Sequence, residues 1–464
     1  MAGMSEYEER ASFSGKLGFI LATSASAVGL GNLWRFPYET SHYGGGIFVL
    51  IYVILAFTFG ISLMLLETSF GRKTGKSCIA AFTGFAKKYR AIGILAAIIP
   101  MLIVPYYCLI GGWVTKWFIE CGADNLSKLA EDGGAYWWNF VTGGTDSGFY
   151  GPTLWFLVFA VLCILCIVLG VEKGIEKMSK VIMPALLIMI IFVIGYEMFA
   201  VDGIWEGMRF YLNPDVSALS PDTFLGAVSQ IFYSMSIAMG ILITYGSYTK
   251  KEVDLAKSSF HVAAIDTGVA LLAGFMIIPA AFVFGFQDSQ GMGLMFVALP
   301  QVFTQMPGGV FVAPIFYLLV LFAALTSAVS LAETCASVFV DGTKVDRPKA
   351  VGITAAIILV LGTICALGFD NGPLAFDTPL SQGAGWLGFF DTITNSIMMP
   401  IAAILLCLFI GYVVKTTYLE EEIEQSSAFR FRPVFRVMVK YVCPLFLTII
   451  LVVGLLGIAG IDLW

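Results

Sequence analysis

The sequence predicts an all-α polytopic membrane protein. Hydrophobic residues make up 58% of its 464 residues and charged residues only 12%, whereas about a quarter of an average soluble domain is charged. Apolar tracts of about 20 residues, each long enough to cross the hydrocarbon core as a helix, recur along the whole chain. A soluble protein of this length could not bury that much apolar surface, so the tracts indicate membrane spans.

Hydropathy predicts eleven spans, and the basic residues predict their orientation. Of the 26 Lys and Arg residues, 22 lie in the N-terminus and in every second connection. The positive-inside rule assigns these segments to the cytoplasm, so we expect a cytoplasmic N-terminus and an external C-terminus. The predicted spans are 17–37, 47–70, 91–120, 151–170, 178–201, 222–247, 258–286, 311–340, 350–369, 387–414 and 437–461, and the basic connections are 71–90, 171–180, 248–257, 341–349 and 415–440.

The composition argues against several other classes of protein. No basic stripe with interleaved aromatic residues occurs, so we expect no nucleic-acid partner. The nine cysteines are scattered, mostly inside apolar tracts. The CxxC pair Cys163 and Cys166 lies within a span and has no second pair, so we interpret the cysteines as reduced packing residues. Neither a nucleophile with its base nor an HExxH pattern is present, so we do not expect an enzyme.

Two predicted spans contain residues that a continuous membrane helix avoids. In the first, the run Val28-Gly-Leu-Gly-Asn32 is followed at once by Arg35 and Pro37. In the sixth, the run Ser234-Met-Ser-Ile-Ala-Met-Gly240 places two hydroxyls among small residues. Irregular backbone survives at membrane depth only where protein or a water-filled cavity satisfies its polar groups. We predict a break in both spans; close helix packing through small residues is the alternative for the sixth.

The two runs lie five spans apart, in the first and the sixth span. If spans 1–5 and 6–10 are repeats, their odd number inverts the second repeat relative to the first. Secondary transporters bind their solute between two broken helices related in this way. The exposed ends of such half-helices present N–H groups to anions and carbonyl oxygens to cations.

The run Ala27-Val-Gly-Leu-Gly-Asn-Leu-Trp-Arg-Phe-Pro37 resembles the first-helix signature of the neurotransmitter:sodium symporter family. Further motifs carry the resemblance along the whole chain: Gly44-Gly-Gly46, Glu67 with Gly71-Arg72, Gly174 with Pro184, Gln230-Ile-Phe-Tyr-Ser234, Thr244-Tyr-Gly-Ser-Tyr248 and Leu325-Thr-Ser327. The resemblance implies a LeuT-like 5+5 inverted repeat of eleven transmembrane helices, with helices 1 and 6 broken at mid-membrane; many members have twelve helices. It divides the chain into a cytoplasmic segment (1–16), a first repeat (17–201), a second repeat (222–414) and a cytoplasmic connector with helix 11 (415–464).

The resemblance also implies a function. We expect sodium-coupled symport of a hydrophobic L-amino acid by alternating access, independent of chloride, in the inner membrane of a bacterium. The expected partners are the amino acid and the lipid bilayer, with two sodium ions, no organic cofactor, and a monomer or weak dimer. The alternatives are a proton-coupled amino-acid carrier, or a transport-inactive membrane sensor or channel.

Glycine at position 29 points to the substrate class. Members that carry monoamines have an aspartate there to meet the amine, and amino-acid carriers have glycine, so Gly29 implies a substrate that brings its own carboxylate. The hydroxyl of Tyr107 would donate to that carboxylate beside the N–H groups of Leu30 and Gly31. The substrate site implied by the family motifs comprises Ser26, Ala27, Gly29, Leu30, Gly31, Ile103, Tyr107, Phe232, Tyr233, Ser234, Ser236, Met239, Ser327 and Leu331.

The resemblance implies two sodium sites built from oxygen ligands, which suit a hard monovalent ion. The ligands of the first would be Ala27, Asn32, Ser234 and Asp266, together with the substrate carboxylate; those of the second would be Ala25, Val28, Ala323, Thr326 and Ser327. The family usually has asparagine at position 266, and chloride-independent members often carry a glutamate at the position of Ala270. We therefore interpret Asp266 as the fixed negative charge that replaces chloride.

The implied gates are ion pairs on either side of the site. Outside, Arg35 would pair with Asp391, above a lid formed by Tyr107 and Phe232. Inside, Arg10 would pair with Asp341, assisted by Tyr248.

Overall fold

The computed structural model describes residues 12–130, 134–142, 151–286, 289, 291–343, 345–369 and 372–461. Within these ranges the chain is helical, and its one β-type pairing is an isolated bridge between Gly45 and Pro214. The helices that matter for the site are, in chain order, α1 (Lys16–Ala27), α2 (Gly31–His42), α3 (Gly46–Thr74), α4 (Lys87–Gly122), α5 (Pro152–Val168), α6 (Val171–Ala200), α7 (Pro221–Ser234), α8 (Ile241–Ser247), α9 (Leu255–Val283), α10 (Gly309–Thr343), α11 (Arg347–Leu367), α12 (Gly385–Val414), α13 (Thr417–Glu424) and α14 (Arg432–Ile458).

Eight of the described helices are long and apolar enough to cross a membrane, namely α3, α4, α6, α9, α10, α11, α12 and α14. The pair α1 and α2, bent by 49°, makes a ninth candidate. Helix α5 is apolar but shorter, and α7 and α8 together occupy the predicted sixth span. The helices therefore lie where hydropathy predicts spans, while the number eleven stays a prediction.

The chain leaves the helical conformation at two of the predicted positions. Helix α1 ends at Ala27 because Val28 turns into an extended conformation, and helical geometry resumes at Gly31; we call residues 28–30 the first interruption. Helix α7 ends at Ser234 and α8 begins at Ile241; we call residues 235–240 the second interruption. The mid-membrane depth of both stays a prediction.

The short helices lie inside the bundle and the last helix lies outside it. Helix α1 packs among α6, α9 and α10, and the long helices α4 and α10 pack along each other. About two thirds of the most apolar stretch of α4 and of α9 is buried, against 11% for α14. Both interruptions are thus surrounded by protein.

The connector helix α13 is attached on both sides by ion pairs. Glu422 is fully buried and pairs with Arg72 of α3 (2.8 Å) and with Lys251 (2.6 Å). Glu420 pairs with Arg436 of α14 (2.6 Å). These contacts hold α13 between the bundle and the final helix.

Candidate functional site

The two interruptions meet in the centre of the bundle. The hydroxyl of Ser236 donates to the carbonyl oxygen of Ser26 (3.1 Å), and the side-chain amide of Gln230 donates to the carbonyl oxygen of Gly31 (2.8 Å). All four residues are buried. The fold therefore brings together two runs that lie about 200 residues apart in the sequence.

Polar side chains satisfy the backbone of the first interruption. The N–H of Leu30 donates to the hydroxyl of Tyr107 on α4 (3.1 Å), and the N–H of Gly29 donates to the Asn32 side-chain oxygen (3.1 Å). The Ser327 hydroxyl, from α10, donates to the carbonyl oxygen of Ser26 (3.0 Å). The predicted neighbours of the substrate carboxylate thus lie together.

A cavity lies between the interruptions, and we call it the inner cavity. Eleven of its twelve lining residues were predicted as substrate residues from the sequence. Ile241, the first residue of α8, was not predicted, because no family motif marks it. The full lining is Ser26, Ala27, Gly29, Gly31, Ile103, Tyr107, Tyr233, Ser236, Met239, Ile241, Ser327 and Leu331.

The ring that separates the inner cavity from the outside belongs to Tyr233. A second space, the outer cavity, is lined by residues of α2, α7, α12 and α14, including Arg35, Phe232 and Tyr233. Tyr233 lines both cavities, whereas Phe232, the predicted lid residue, lines the outer one alone. The two residues are adjacent in sequence, so they point to different sides of α7.

Gly29 leaves no room for a side chain. A Cβ atom at this position would lie 2.5 Å from the Ser327 hydroxyl oxygen and 2.8 Å from the Tyr107 hydroxyl oxygen. Its φ is not in the left-handed region. Glycine is therefore required here by the closeness of two hydroxyls and not by the backbone conformation.

The predicted ligands of the first sodium site form one hydrogen-bonded group. The Asn32 amide donates to the Asp266 carboxylate (2.8 Å) and to the Ser234 hydroxyl (3.1 Å), and Ser234 donates to Asp266 (3.0 Å). Asp266 is fully buried, and its described partners are neutral. A buried carboxylate without a basic partner is costly unless a cation or a proton compensates its charge, so this group suits a small cation.

The predicted ligands of the second sodium site lie in two pairs. The Ser327 hydroxyl is 3.4 Å from the carbonyl oxygen of Val28, and the Thr326 hydroxyl is 3.0 Å from that of Ala323. Ala25, the fifth predicted ligand, is buried on α1. The first pair brings α10 against the end of α1, whereas the second lies within α10.

The outer gate is arranged differently from the prediction. Arg35 pairs with Glu39 one helical turn away (2.9 Å) and lies over the ring of Tyr233 (5.1 Å). Asp391 instead accepts hydrogen bonds from Tyr106 (3.1 Å) and Asn395 (2.6 Å). The predicted Arg35–Asp391 ion pair is therefore not made in this structure, because each partner is satisfied by a nearer group.

The inner gate can be described only in part, since Arg10 lies outside the described residues. Asp341 accepts a hydrogen bond from the N–H of Ser77 (2.6 Å). The hydroxyl of Tyr248 donates to Glu333 (2.9 Å).

Glu333 was missed by the sequence interpretation. It is fully buried on α10, and Arg347 donates to both of its carboxylate oxygens (2.9 and 2.7 Å). An acidic residue within a predicted span was the signal that could have found it, because such residues are rare in lipid and face a partner.

Comparison with known proteins shows the family. Residues 10–139 and 135–462 match the sodium:neurotransmitter symporter family. The chain is 30% identical to an uncharacterized sodium-dependent transporter of Haemophilus influenzae, over 97% of this chain and 99% of that protein. It is 31% identical to the uncharacterized sodium-dependent transporter YhdH of Bacillus subtilis, over 89% of this chain and 90% of that protein. The crystal structure of MhsT in complex with L-phenylalanine is similar to it with a TM-score of 0.84 and 33% identity, over 96% of this chain and 100% of that one.

These similarities cover nearly the whole chain and confirm two predictions. The all-α membrane fold is shared with MhsT, and the family match agrees with the resemblance carried by the motifs. The family consists of secondary transporters, which move solutes and catalyse no covalent reaction. The chain thus belongs to the sodium:neurotransmitter symporter family and is a membrane-embedded, sodium-coupled transporter.

Proposed function

We propose that this transporter carries a hydrophobic L-amino acid into the cell together with sodium. The observation that carries the proposal is the inner cavity, whose lining residues include no Asp, Glu, Lys or Arg. A substrate held there must bring its own charges. The MhsT structure, which contains L-phenylalanine, supports this class of substrate.

The polar part of the cavity suits the main-chain groups of an amino acid. The Tyr107 hydroxyl and the backbone of the first interruption face one side, where a carboxylate finds donors. Because position 29 is glycine, it provides no acidic side chain to pair with a substrate amine. An α-amino acid is therefore favoured over a monoamine.

The remaining wall of the cavity is apolar, and it sets the preference for the side chain of the substrate. Ile103, Met239, Ile241 and Leu331 line this part of the cavity. Aliphatic side chains fit such a wall, and the flexible Met239 also allows aromatic ones. We expect leucine, valine, methionine or alanine to be carried better than any charged or strongly polar amino acid.

Coupling to sodium follows from the group around Asp266. In our proposal two sodium ions bind. The first is held by Ala27, Asn32, Ser234, Asp266 and the substrate carboxylate, and the second by the ligands shared by α1 and α10. A ligand common to ion and substrate makes each stabilise the binding of the other.

Alternating access then requires the gates to exchange partners. We propose that Arg35 leaves Glu39 and pairs with Asp391 in another state of the cycle, since both line or adjoin the outer vestibule. The inverted repeats 17–201 and 222–414 would move against each other, in a protein of the bacterial inner membrane with a cytoplasmic N-terminus. We expect a monomer or a weak dimer.

The experiment is uptake of each of the twenty amino acids into proteoliposomes that contain the purified protein. Sodium in the external buffer is compared with choline, at fixed pH and then with an imposed pH gradient. We expect saturable uptake of apolar amino acids that requires sodium. Uptake driven by the pH gradient without sodium would favour a proton-coupled carrier. Absence of saturable counterflow for every amino acid would favour a sensor or channel.

Chloride independence has its own test, the substitution Asp266→Asn. Replacing chloride by gluconate should leave uptake by the parent protein unchanged, because the fixed charge of Asp266 takes the place of the anion. In the variant, sodium-driven uptake should come to depend on chloride, since asparagine has no charge. If the variant transports equally well without chloride, Asp266 does not supply that charge.

A further inference from the structure

The connection between α3 and α4 differs in charge from the other basic connections. No Asp or Glu occurs between Glu67 and Glu120, whereas the connections 171–180, 248–257, 341–349 and 415–440 each contain acidic residues. Arg72 and Lys73, at the end of α3, are compensated by Glu422. The bases that follow have no acidic residue near them in the sequence.

Four of these bases are exposed and have no ionic partner among the residues that the structure describes. They are Lys76, Lys87, Lys88 and Arg90, and all four side chains are exposed to solvent. In the part of the chain that the structure describes, none of the four forms a salt bridge. The connection therefore concentrates four exposed bases that no described acidic residue pairs with, at one end of the bundle.

The bases are held on an ordered support. The rings of Phe85 and Tyr89 contact the ring of Phe409 on α12, with centroids 5.3 and 4.8 Å apart. Phe85 also contacts Tyr418 of α13. Because the support is fixed by packing, the bases are presented without a large loss of chain entropy on binding.

An exposed apolar face begins where the bases end. Arg90, Ile94 and Ile98 are spaced four residues apart on α4, so they lie on one face of the helix. Ile94 is 37% exposed and Ile98 is 39% exposed. The face extends about 12 Å along the helix from Arg90 and lies within a membrane-crossing helix. A face that is basic at its end and apolar along its length complements a molecule with an anionic head and an acyl chain.

We propose that Lys87, Lys88 and Arg90, together with the face formed by Ile94 and Ile98, bind an anionic phospholipid. The phosphate of the headgroup lies among the three bases, and an acyl chain lies along the two isoleucines. Clusters of Lys and Arg beside a membrane helix attract anionic lipids through this combination of charge and burial. Lys76 adds to the attractive potential from the start of the connection.

The experiment uses the full-length protein in phosphatidylcholine nanodiscs. Phosphatidylglycerol with a photoreactive diazirine in its acyl chain is added as a minor component, and labelled peptides are identified by mass spectrometry. Phosphatidylcholine with the same photoreactive chain is the parallel probe. We expect the phosphatidylglycerol probe to label residues 90–102 at least about tenfold more than the phosphatidylcholine probe, since each base near the surface contributes favourably.

The test variant is K87Q/K88Q/R90Q, and the matched control is K173Q/K177Q/K349Q, which removes the same number of exposed charges from connections that contain acids. Labelling by phosphatidylglycerol should fall to the phosphatidylcholine level in the test variant and stay unchanged in the control. A monodisperse size-exclusion profile and unchanged circular dichroism establish that both variants are folded.

Three results would overturn the proposal. One is equal labelling of residues 90–102 by the two probes, which would mean that the face contacts bulk lipid without selection. Another is retention of labelling in the test variant. The third is displacement of the probe by soluble glycerol 3-phosphate, which would identify a site for a free phosphate compound and not for a lipid.

Discussion

The first and second interruptions lie against each other but are built in different ways. In the first, the backbone stays in ordinary regions, and neutral groups from neighbouring helices, among them Tyr107 and Ser327, satisfy its polar atoms. In the second, Ser236 and Ala238 have φ values of 54° and 62°, in the left-handed region that side chains with a Cβ disfavour. The two sides of one cavity therefore depend on different physical effects.

A single carboxyl group, that of Glu67, accepts a hydrogen bond from the backbone of the second interruption. Glu67 of α3 is buried and accepts a hydrogen bond from the N–H of Ala238 (2.6 Å). In the described part of the chain its other oxygen has no partner. The first interruption has several neutral supports, whereas this part of the second depends on one acidic residue.

Glycine serves two separate purposes in this site. At Gly29 it provides space, because two hydroxyls occupy the place of a side chain. At Gly240, where φ is 73°, it suits the backbone conformation. At Ala238 the same kind of conformation is held by a residue with a Cβ, so the structure there carries a small strain. Substitutions at the three kinds of position should have different effects.

The largest expected effect is that of Gly29→Ala on the first interruption. The added methyl group must displace the hydroxyls of Ser327 and Tyr107, and overpacking of this kind costs up to about 3 kcal/mol. We expect sodium-dependent amino-acid binding to weaken about a hundredfold, measured by radioligand binding to the purified protein. Gly195→Ala on α6, where an added Cβ meets nothing within 4 Å, is the control. Unchanged affinity in Gly29→Ala would show that glycine is not needed at position 29 to make room for the two hydroxyls.

A smaller effect is expected for Glu67→Ala on the second interruption. The substitution leaves the buried N–H of Ala238 without an acceptor, which should destabilise the fold by about 2 kcal/mol. Glu67→Gln is the matched variant, because its side-chain oxygen can still accept that hydrogen bond. The unfolding temperatures in detergent should be similar for the parent protein and Glu67→Gln, and clearly lower for Glu67→Ala. Equal losses in both variants would show that the hydrogen bond to Ala238 is not the support.

The smallest effect is expected for Ala238→Gly, and its direction is opposite. Glycine adopts the left-handed conformation without strain, so the substitution should stabilise the protein by up to about 1 kcal/mol. Ala270→Gly on α9, within an ordinary helix, should destabilise by a similar amount. A higher unfolding temperature for Ala238→Gly and a lower one for Ala270→Gly would show that the backbone at Ala238 is strained. A decrease for both would mean that Ala238 is not strained.

Much of the site was predictable from local patterns. The position of the first interruption follows from a run of small and polar residues that a lipid-exposed helix cannot accommodate. The group of Asn32, Ser234 and Asp266 follows from the family motifs, and the structure places its members within hydrogen-bonding distance. Their roles in binding sodium stay a prediction.

Other features were not predictable, because they depend on which of several near neighbours a side chain meets. Arg35 has two acidic candidates, and the structure pairs it with Glu39. Phe232 and Tyr233 are adjacent and were both predicted as substrate residues, and the rotation of α7 decides that only Tyr233 lines the inner cavity. Glu333 could be suspected from its place in a span, but its partners Tyr248 and Arg347 could not be identified.

The sequence by itself determined that this chain is a membrane protein, where its helices lie and where the first of them must be interrupted. It could do so because lipid imposes rules on composition and backbone that act residue by residue along the chain. Only the tertiary structure decided that Gly29 is needed for space, that Ala238 is strained and held by Glu67, and that Arg35 turns to Glu39. Those outcomes depend on distances of a few ångströms between distant segments, which no local pattern of residues specifies.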